Sequence, residues 1–220
     1  MDSDRHLTTS DDEIGERLEM VRAAIAKSGR PDVSIVAVTK GFDASAVHAA
    51  KRLGLSQIGE NYAQELIDKS ADFGDDLTVN FIGRVQRNKV RKIHGIVDLW
   101  QSVARPEILS EIAKRSPGAS VLIQIQPDGD DTKDGVRPPE LPGMFQLAES
   151  LGVTIAGLMT IGVLGNSTAT AACFREVDAL ADEYGVKTRS MGMSGDYLEA
   201  LEAGSTMLRL GSVLFGPRPS

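Results

Sequence analysis

The chain has 220 residues, of which 41% are hydrophobic and 25% charged, with a formal net charge of −7. That is the composition of an ordinary globular protein and excludes disordered, collagenous and coiled-coil chains. The acidic balance opposes binding to nucleic-acid phosphates, and a lone cysteine, Cys173, allows no internal disulfide or thiolate cluster.

A chain of this length buries roughly 70% of its unfolded surface and suits one large domain. The longest apolar runs, such as 121–123 and 213–215, fall far short of the ~20 residues that cross a bilayer. Residues 1–6 include Asp2 and Asp4 and no apolar stretch, so neither a secretory signal nor a membrane partner is expected, and the cytoplasm is the expected location.

In chain order, an amphipathic helix is predicted over about 11–28, with Ile14, Leu18, Val21 and Ile25 on one face. Strands follow at 34–39, 57–59, 79–83 and 97–102, then at 121–126, 155–160, 186–191 and 207–211. Between them, stretches of helical period begin near Asp43, Glu60, Gln86, Arg105, Pro139, Thr168 and Gly195. Parallel strands need crossovers, and eight such units close most economically as a single (β/α)8 TIM barrel over 1–220. An open doubly wound sheet is the structural alternative.

The most polar loop, 127–135, contains Asp128 and Asp130 but fails as a calcium loop. The twelfth position counted from either is Pro139 or Leu141 instead of a bidentate Glu. No metal site is expected, because His6, His48 and His94 are far apart and have no cysteine partners. Cys173, Phe81 and Trp100 read as core, and the basic run Arg84, Arg87, Lys89, Arg91, Lys92 as a solvated helix face.

Barrels bind ligands at the C-terminal ends of their strands. Here those ends carry Lys40, Gly59-Glu60-Asn61, Gly83, Ser102, Gln126, Met159-Thr160, Ser190-Met191-Gly192-Met193-Ser194 and Arg209-Leu210-Gly211-Ser212. Alternation sets Lys40 on the face of Val36 and Val38. If that face is the interior, desolvation lowers the lysine pKa and leaves an amine able to attack an aldehyde; a lysine snorkelling out of the strand end is the alternative. Arg209 shares its face with Met207 and Gly211 and therefore needs an acceptor, either a ligand atom or a structural carboxylate. The glycines after the last strand suit a phosphate, since loops seven and eight are the usual phosphate cradle of barrels.

Several motifs, in order, match a known family: Ala37-Val38-Thr39-Lys40, Ile58-Gly59-Glu60-Asn61-Tyr62-Ala63-Gln64-Glu65, Phe81-Ile82-Gly83, Lys133-Asp134-Gly135-Val136, Gly157-Leu158-Met159-Thr160, Ser190-Met191-Gly192-Met193-Ser194 and the 204–216 stretch. Over about 33–218 the sequence resembles the pyridoxal phosphate homeostasis protein family. The resemblance implies a barrel of the alanine-racemase type holding pyridoxal 5′-phosphate as an aldimine on Lys40. By the same likeness Arg209 meets the pyridine nitrogen, and Ser194, Gly211 and Ser212 hold the phosphate, with Ser190 as a further candidate. Asn61 and Met191 line the ring.

A guanidinium is a poor proton donor, so the ring nitrogen stays unprotonated and the electron sink is weak. The expected function is therefore a non-enzymatic, monomeric carrier in intracellular cofactor homeostasis, with pyridoxal-phosphate-dependent apo-enzymes as possible partners and no catalytic residue. The absence of room after the barrel for the β-domain that supplies a tyrosine in alanine racemases points the same way. A small fold-type III amino-acid racemase using Tyr62, which is otherwise expected to pack in the helix after strand two, is one alternative. A barrel binding another phosphometabolite without a covalent bond is the other. The chain departs from the family pattern at Asn80 and Gln101, where histidines are common, and at Ala104, Gln126 and Gly162, where Asp, Asn and Pro are usual.

Overall fold

The computed structural model describes residues 5–126 and 134–218. The carboxylates Asp128 and Asp130 lie outside the described residues, as does Lys133. Eight strands close a barrel in sequence order: β1 (Ser34–Val38), β2 (Gln57–Glu60), β3 (Thr78–Phe81), β4 (Leu99–Val103), β5 (Ser120–Gln124), β6 (Thr154–Met159), β7 (Thr188–Ser190) and β8 (Met207–Leu210). Every neighbouring pair is parallel, and β8 returns to β1 with Val36 opposite Arg209. The closed ring excludes the open sheet and leaves no unpaired edge.

The helices are α1 (Asp11–Lys27), α2 (Ala44–Arg52), α3 (Ala63–Lys69), α4 (Arg87–Ile93), α5 (Pro106–Arg115), α6 (Leu141–Leu151), α7 (Ser167–Glu183), α8 (Tyr197–Glu202) and α9 (Ser212–Phe215). Strand β7 is shorter than expected, and α3 starts three residues after Glu60 because that residue still belongs to β2. Helix α1 begins with a capping box: Ser10 Oγ accepts the Glu13 N–H, and the Glu13 carboxylate accepts the Ser10 N–H. It buries Ile14, Leu18, Val21 and Ile25. Thr9 Oγ1 and Arg17 Nη1 tie it to the carbonyls of Phe215 and Leu214 at 2.6 and 3.1 Å.

The core has two layers. A small plug inside the barrel consists of Val36, Leu122, Met159 and Met207, and the larger core lies between the barrel and its helices. Phe81 and Trp100 are fully buried, with ring centroids 5.8 Å apart. Gly15 sits inside α1, where an added Cβ would come no closer than 3.7 Å to Leu53. Replacing glycine by alanine in a helix interior stabilises by roughly 0.5–1 kcal/mol. Gly15→Ala therefore raises the urea midpoint at unchanged m-value, and an unchanged or lowered midpoint would show that the helix cannot accept the methyl group.

Candidate functional site

The strand ends gather polar side chains at one mouth. Thr39 follows β1 and donates through Oγ1 to Glu60 Oε1 at 2.5 Å. The same oxygen accepts from Lys69 Nζ at 2.7 Å, and Lys69 also donates to the Thr39 carbonyl at 2.8 Å. On the other side of Lys40, the Gly41 N–H donates to Glu65 Oε2 at 2.8 Å. Helix α3 thus holds the backbone on both flanks of Lys40. Burial pushes the Glu60 carboxyl up, against the lowering by Lys69 and Thr39, and its Oε2 has no hydrogen-bond partner among the described residues.

Lys40 is half-buried, and its side chain has no hydrogen-bond or ion-pair partner among the described residues. Its pKa is lowered, first by desolvation and then by the cationic Arg218 and Arg209, with Glu60 and Glu65 opposing. Alternation from Val36 turns Lys40 toward the barrel interior, and the field of the buried Arg209 reaches it.

Arg209 is 4% exposed and bonds only to uncharged acceptors: the Ser190 carbonyl at 2.6 Å, Ser190 Oγ at 2.8 Å and the Thr160 carbonyl at 2.8 Å. No carboxylate pairs with it among the described residues, so the structural-carboxylate alternative falls away. Asp196 acts only through its field, and burial lowers the guanidinium to about 10, which keeps it protonated at neutral pH. Three contacts leave the Nε–H and one Nη2–H of its five donors.

Beyond β8, Ser194 Oγ accepts the N–H groups of Gly211 at 3.3 Å and Val213 at 3.1 Å, with Ser212 between them. The hydroxyl sits where backbone donors converge, as an anion's oxygen would. Ser190 is placed apart from this group, beneath Arg209. Met191 is a correction: its side chain is fully buried in the outer core with Leu208 and Ala200, because alternation turns Ser190 inward and Met191 toward the helices. Its side chain does not line a ring in the mouth.

A cavity of about 910 Å3 opens on the β3–β7 side of the same mouth, and Asn61 alone of the eight expected residues lines it. Thr160, whose carbonyl accepts from Arg209, also lines it, as do Met193 and Gly195 on either side of Ser194. The cavity therefore adjoins the Lys40 and Arg209 cluster, and size alone does not locate the chemistry. Tyr62 precedes α3 with 51% exposure, because its helix starts beyond it; it neither packs in that helix nor lines the cavity. Among the described residues no cluster could hold a metal ion, and no helix is long and apolar enough to cross a membrane.

Sequence reasoning passed over the roles of four residues. Glu60 and Lys69 form the buried pair behind Lys40. Asn80 and Gln101 were seen only as departures, yet both are fully buried, and Gln101 Nε2 donates to Asn80 Oδ1 at 2.7 Å. The available signal was a polar residue inside a strand that barrel closure buries on both faces. At Gly162 a Cβ would lie 2.6 Å from Asp196 Oδ2 and 2.7 Å from Thr170 Cγ2, so a side chain there requires these two side chains to shift.

The family model of the alanine racemase N-terminal domain matches residues 12–219. The pyridoxal phosphate homeostasis protein of Aquifex aeolicus is 36% identical over 216 residues, covering 91% of this chain and 95% of that protein. The structure of PipY from Synechococcus elongatus with pyridoxal phosphate bound has a TM-score of 0.79 at 34% identity, covering 92% of this chain and 100% of that one. An alanine racemase of Clostridium difficile, with a TM-score of 0.73 at 17% identity and 58% of its own length covered, shares the fold. With these motifs on a closed barrel and relatives alike over almost their full length, the chain belongs to the pyridoxal phosphate homeostasis protein family.

Proposed function

We propose that this chain binds pyridoxal 5′-phosphate at the β8–β1 side of its mouth, attached through Lys40, and serves cofactor homeostasis as a carrier instead of turning over a substrate. One observation carries the reading: a buried arginine without a carboxylate, an unpaired desolvated lysine and converging backbone N–H groups share one mouth. The names of the relatives and the ligand in the PipY structure support it.

The donor set fits a phosphorylated aromatic aldehyde. Gly211, Ser212 and Ser194 would hold the phosphate by backbone and hydroxyl groups, and the spare N–H donors of Arg209 would serve the ring nitrogen. Asn61, which lines the adjoining cavity, would stand beside the ring. Lys40, its pKa lowered first by desolvation, would hold the aldehyde through its side-chain amine. Bound cofactor supplies an electron sink whose strength depends on protonation of its ring nitrogen. Arg209 keeps its own proton at neutral pH, so it would donate a hydrogen bond to that nitrogen without protonating it. The same reading extends to a cytoplasmic monomer that passes the cofactor to dependent apo-enzymes.

Protein mixed with pyridoxal phosphate is expected to develop a visible band that borohydride fixes to the Lys40 peptide, and Lys40→Ala abolishes it. Fixation on Lys69 or Lys89 instead, or no band at all, would overturn the reading. Turnover of single-enantiomer alanine above the rate of free cofactor would restore the racemase.

A further inference from the structure

Arg209 is held by more than its own three bonds. A buried chain of side chains crosses the barrel from β3 through β4 and β7 to β8, and each link has one donor direction. Asn80 Nδ2 donates to the Ile58 carbonyl at 3.1 Å, the Thr78 carbonyl at 3.2 Å and Gln57 Oε1 at 3.3 Å. Those acceptors fix the amide, since a flipped Asn80 would press its oxygen against two carbonyls. Its Oδ1 must then accept, and Gln101 Nε2 donates to it at 2.7 Å. Gln101 Oε1 is left to accept from Ser190 Oγ at 2.7 Å, and Ser190 Oγ, its proton committed, accepts from Arg209 Nη1 at 2.8 Å. Gln101 also touches the apolar plug, with Nε2 3.2 Å from Met207 Sδ.

Asn80, Gln101 and Ser190 are all 0% exposed, so water cannot substitute for a missing link. Neither amides nor a hydroxyl titrate near neutral pH, so the polarity of the chain is fixed across that range.

We propose that Asn80, Gln101 and Ser190 form a one-way positioning chain that sets the orientation of the Arg209 guanidinium, and with it the aim of the Nε–H and spare Nη2–H into the mouth. The consequence for the cofactor rests on the function proposed above; the orientation of Arg209 does not. Gln101 is a positioning residue here, acting through Ser190. Its loss frees the Ser190 proton to seek another acceptor and removes the oriented lone pair from Arg209.

Gln101→Leu, close to isosteric, and Ser190→Ala break the same chain at adjacent links. In the cofactor-free protein the Arg209 Nε–H signal is expected to exchange with solvent at least tenfold faster in each variant than in the parent protein. With pyridoxal phosphate added, both are expected to keep the Lys40 band but shift its maximum and weaken binding by about tenfold. Because the two changes interrupt one chain, the double variant should bind no more weakly than the worse single variant. Unchanged Arg209 exchange in both variants, or losses that multiply in the double variant, would overturn the chain. If Gln101→Leu fails to fold, as read from its thermal transition, Ser190→Ala alone carries the exchange and spectral tests. Faster Arg209 exchange together with no visible band in the parent protein would instead leave the chain standing and remove the proposed function.

Discussion

Lys69→Met is expected to lower the unfolding free energy by about 3–5 kcal/mol at neutral pH, the usual cost of breaking a buried pair by removing one partner. Lys69 and Glu60 are almost wholly buried, with Nζ 2.7 Å from Oε1 and Glu65 Oε2 3.8 Å away. Without the ammonium, Glu60 keeps Thr39 as a donor but loses the group that most strongly lowers its pKa. Its folded pKa, already above the unfolded value, then rises further. A carboxyl with a raised folded pKa binds more protons folded than unfolded, so stability falls as pH climbs from the unfolded carboxyl value through the folded one. The deficit of Lys69→Met should therefore be smaller at pH 5 than at pH 8. Adding Glu60→Gln, which removes the orphaned charge and leaves Thr39 an acceptor, should recover most of the loss. Urea unfolding of the two variants at both pH values checks this. A loss under about 1 kcal/mol, or no recovery in the double variant, would show that the pair does not carry the structure around Lys40.

The barrel was readable because each βα unit announces itself locally: β-branched runs such as Ser34-Ile35-Val36-Ala37-Val38, then helical period with an N-cap such as Asp43, whose side chain accepts the Ser45 N–H. Lys40 and Arg209 were readable for a related reason, since a charged residue ending or interrupting a buried strand is costly enough to require a purpose. What escaped depends on partners distant in sequence. The family likeness offers Ser190 as a further phosphate candidate, but its hydrogen bonds reach 89 residues back to Gln101 and 19 forward to Arg209. The family likeness sets Met191 at the ring, whereas the two-residue alternation of β7 turns its side chain into the outer core. The Lys69–Glu60 pair joins the last turn of α3 to the end of β2, and no pattern along the chain shows that the helix folds back over its own strand end.

Gly83→Ala should be the most damaging of the single-methyl changes at the mouth. A Cβ on Gly83 would lie 1.9 Å from the Asn61 carbonyl oxygen and 2.7 Å from its carbon, so backbone and not a flexible side chain must move. Neither side can yield easily. The Ile82 N–H donates to the Glu60 carbonyl at 2.9 Å, which pins the end of β3 to β2, and Ser102 Oγ holds the Ile82 carbonyl from β4 at 2.8 Å. Overpacking a core commonly costs about 1–3 kcal/mol, and a clash with pinned backbone belongs at or above the top of that range. For a chain of this size that corresponds to a Tm lowered by roughly 6–12 °C, opposite in sign to Gly15→Ala in the same assay. Asn61 borders the cavity, so the displacement that relieves the clash also moves a residue placed beside the cofactor ring, and pyridoxal phosphate binding should weaken together with stability. A Gly83→Ala protein melting within about 2 °C of the parent would mean that the β2–β3 corner can open at little cost, and that Asn61 is not held where the closed barrel places it.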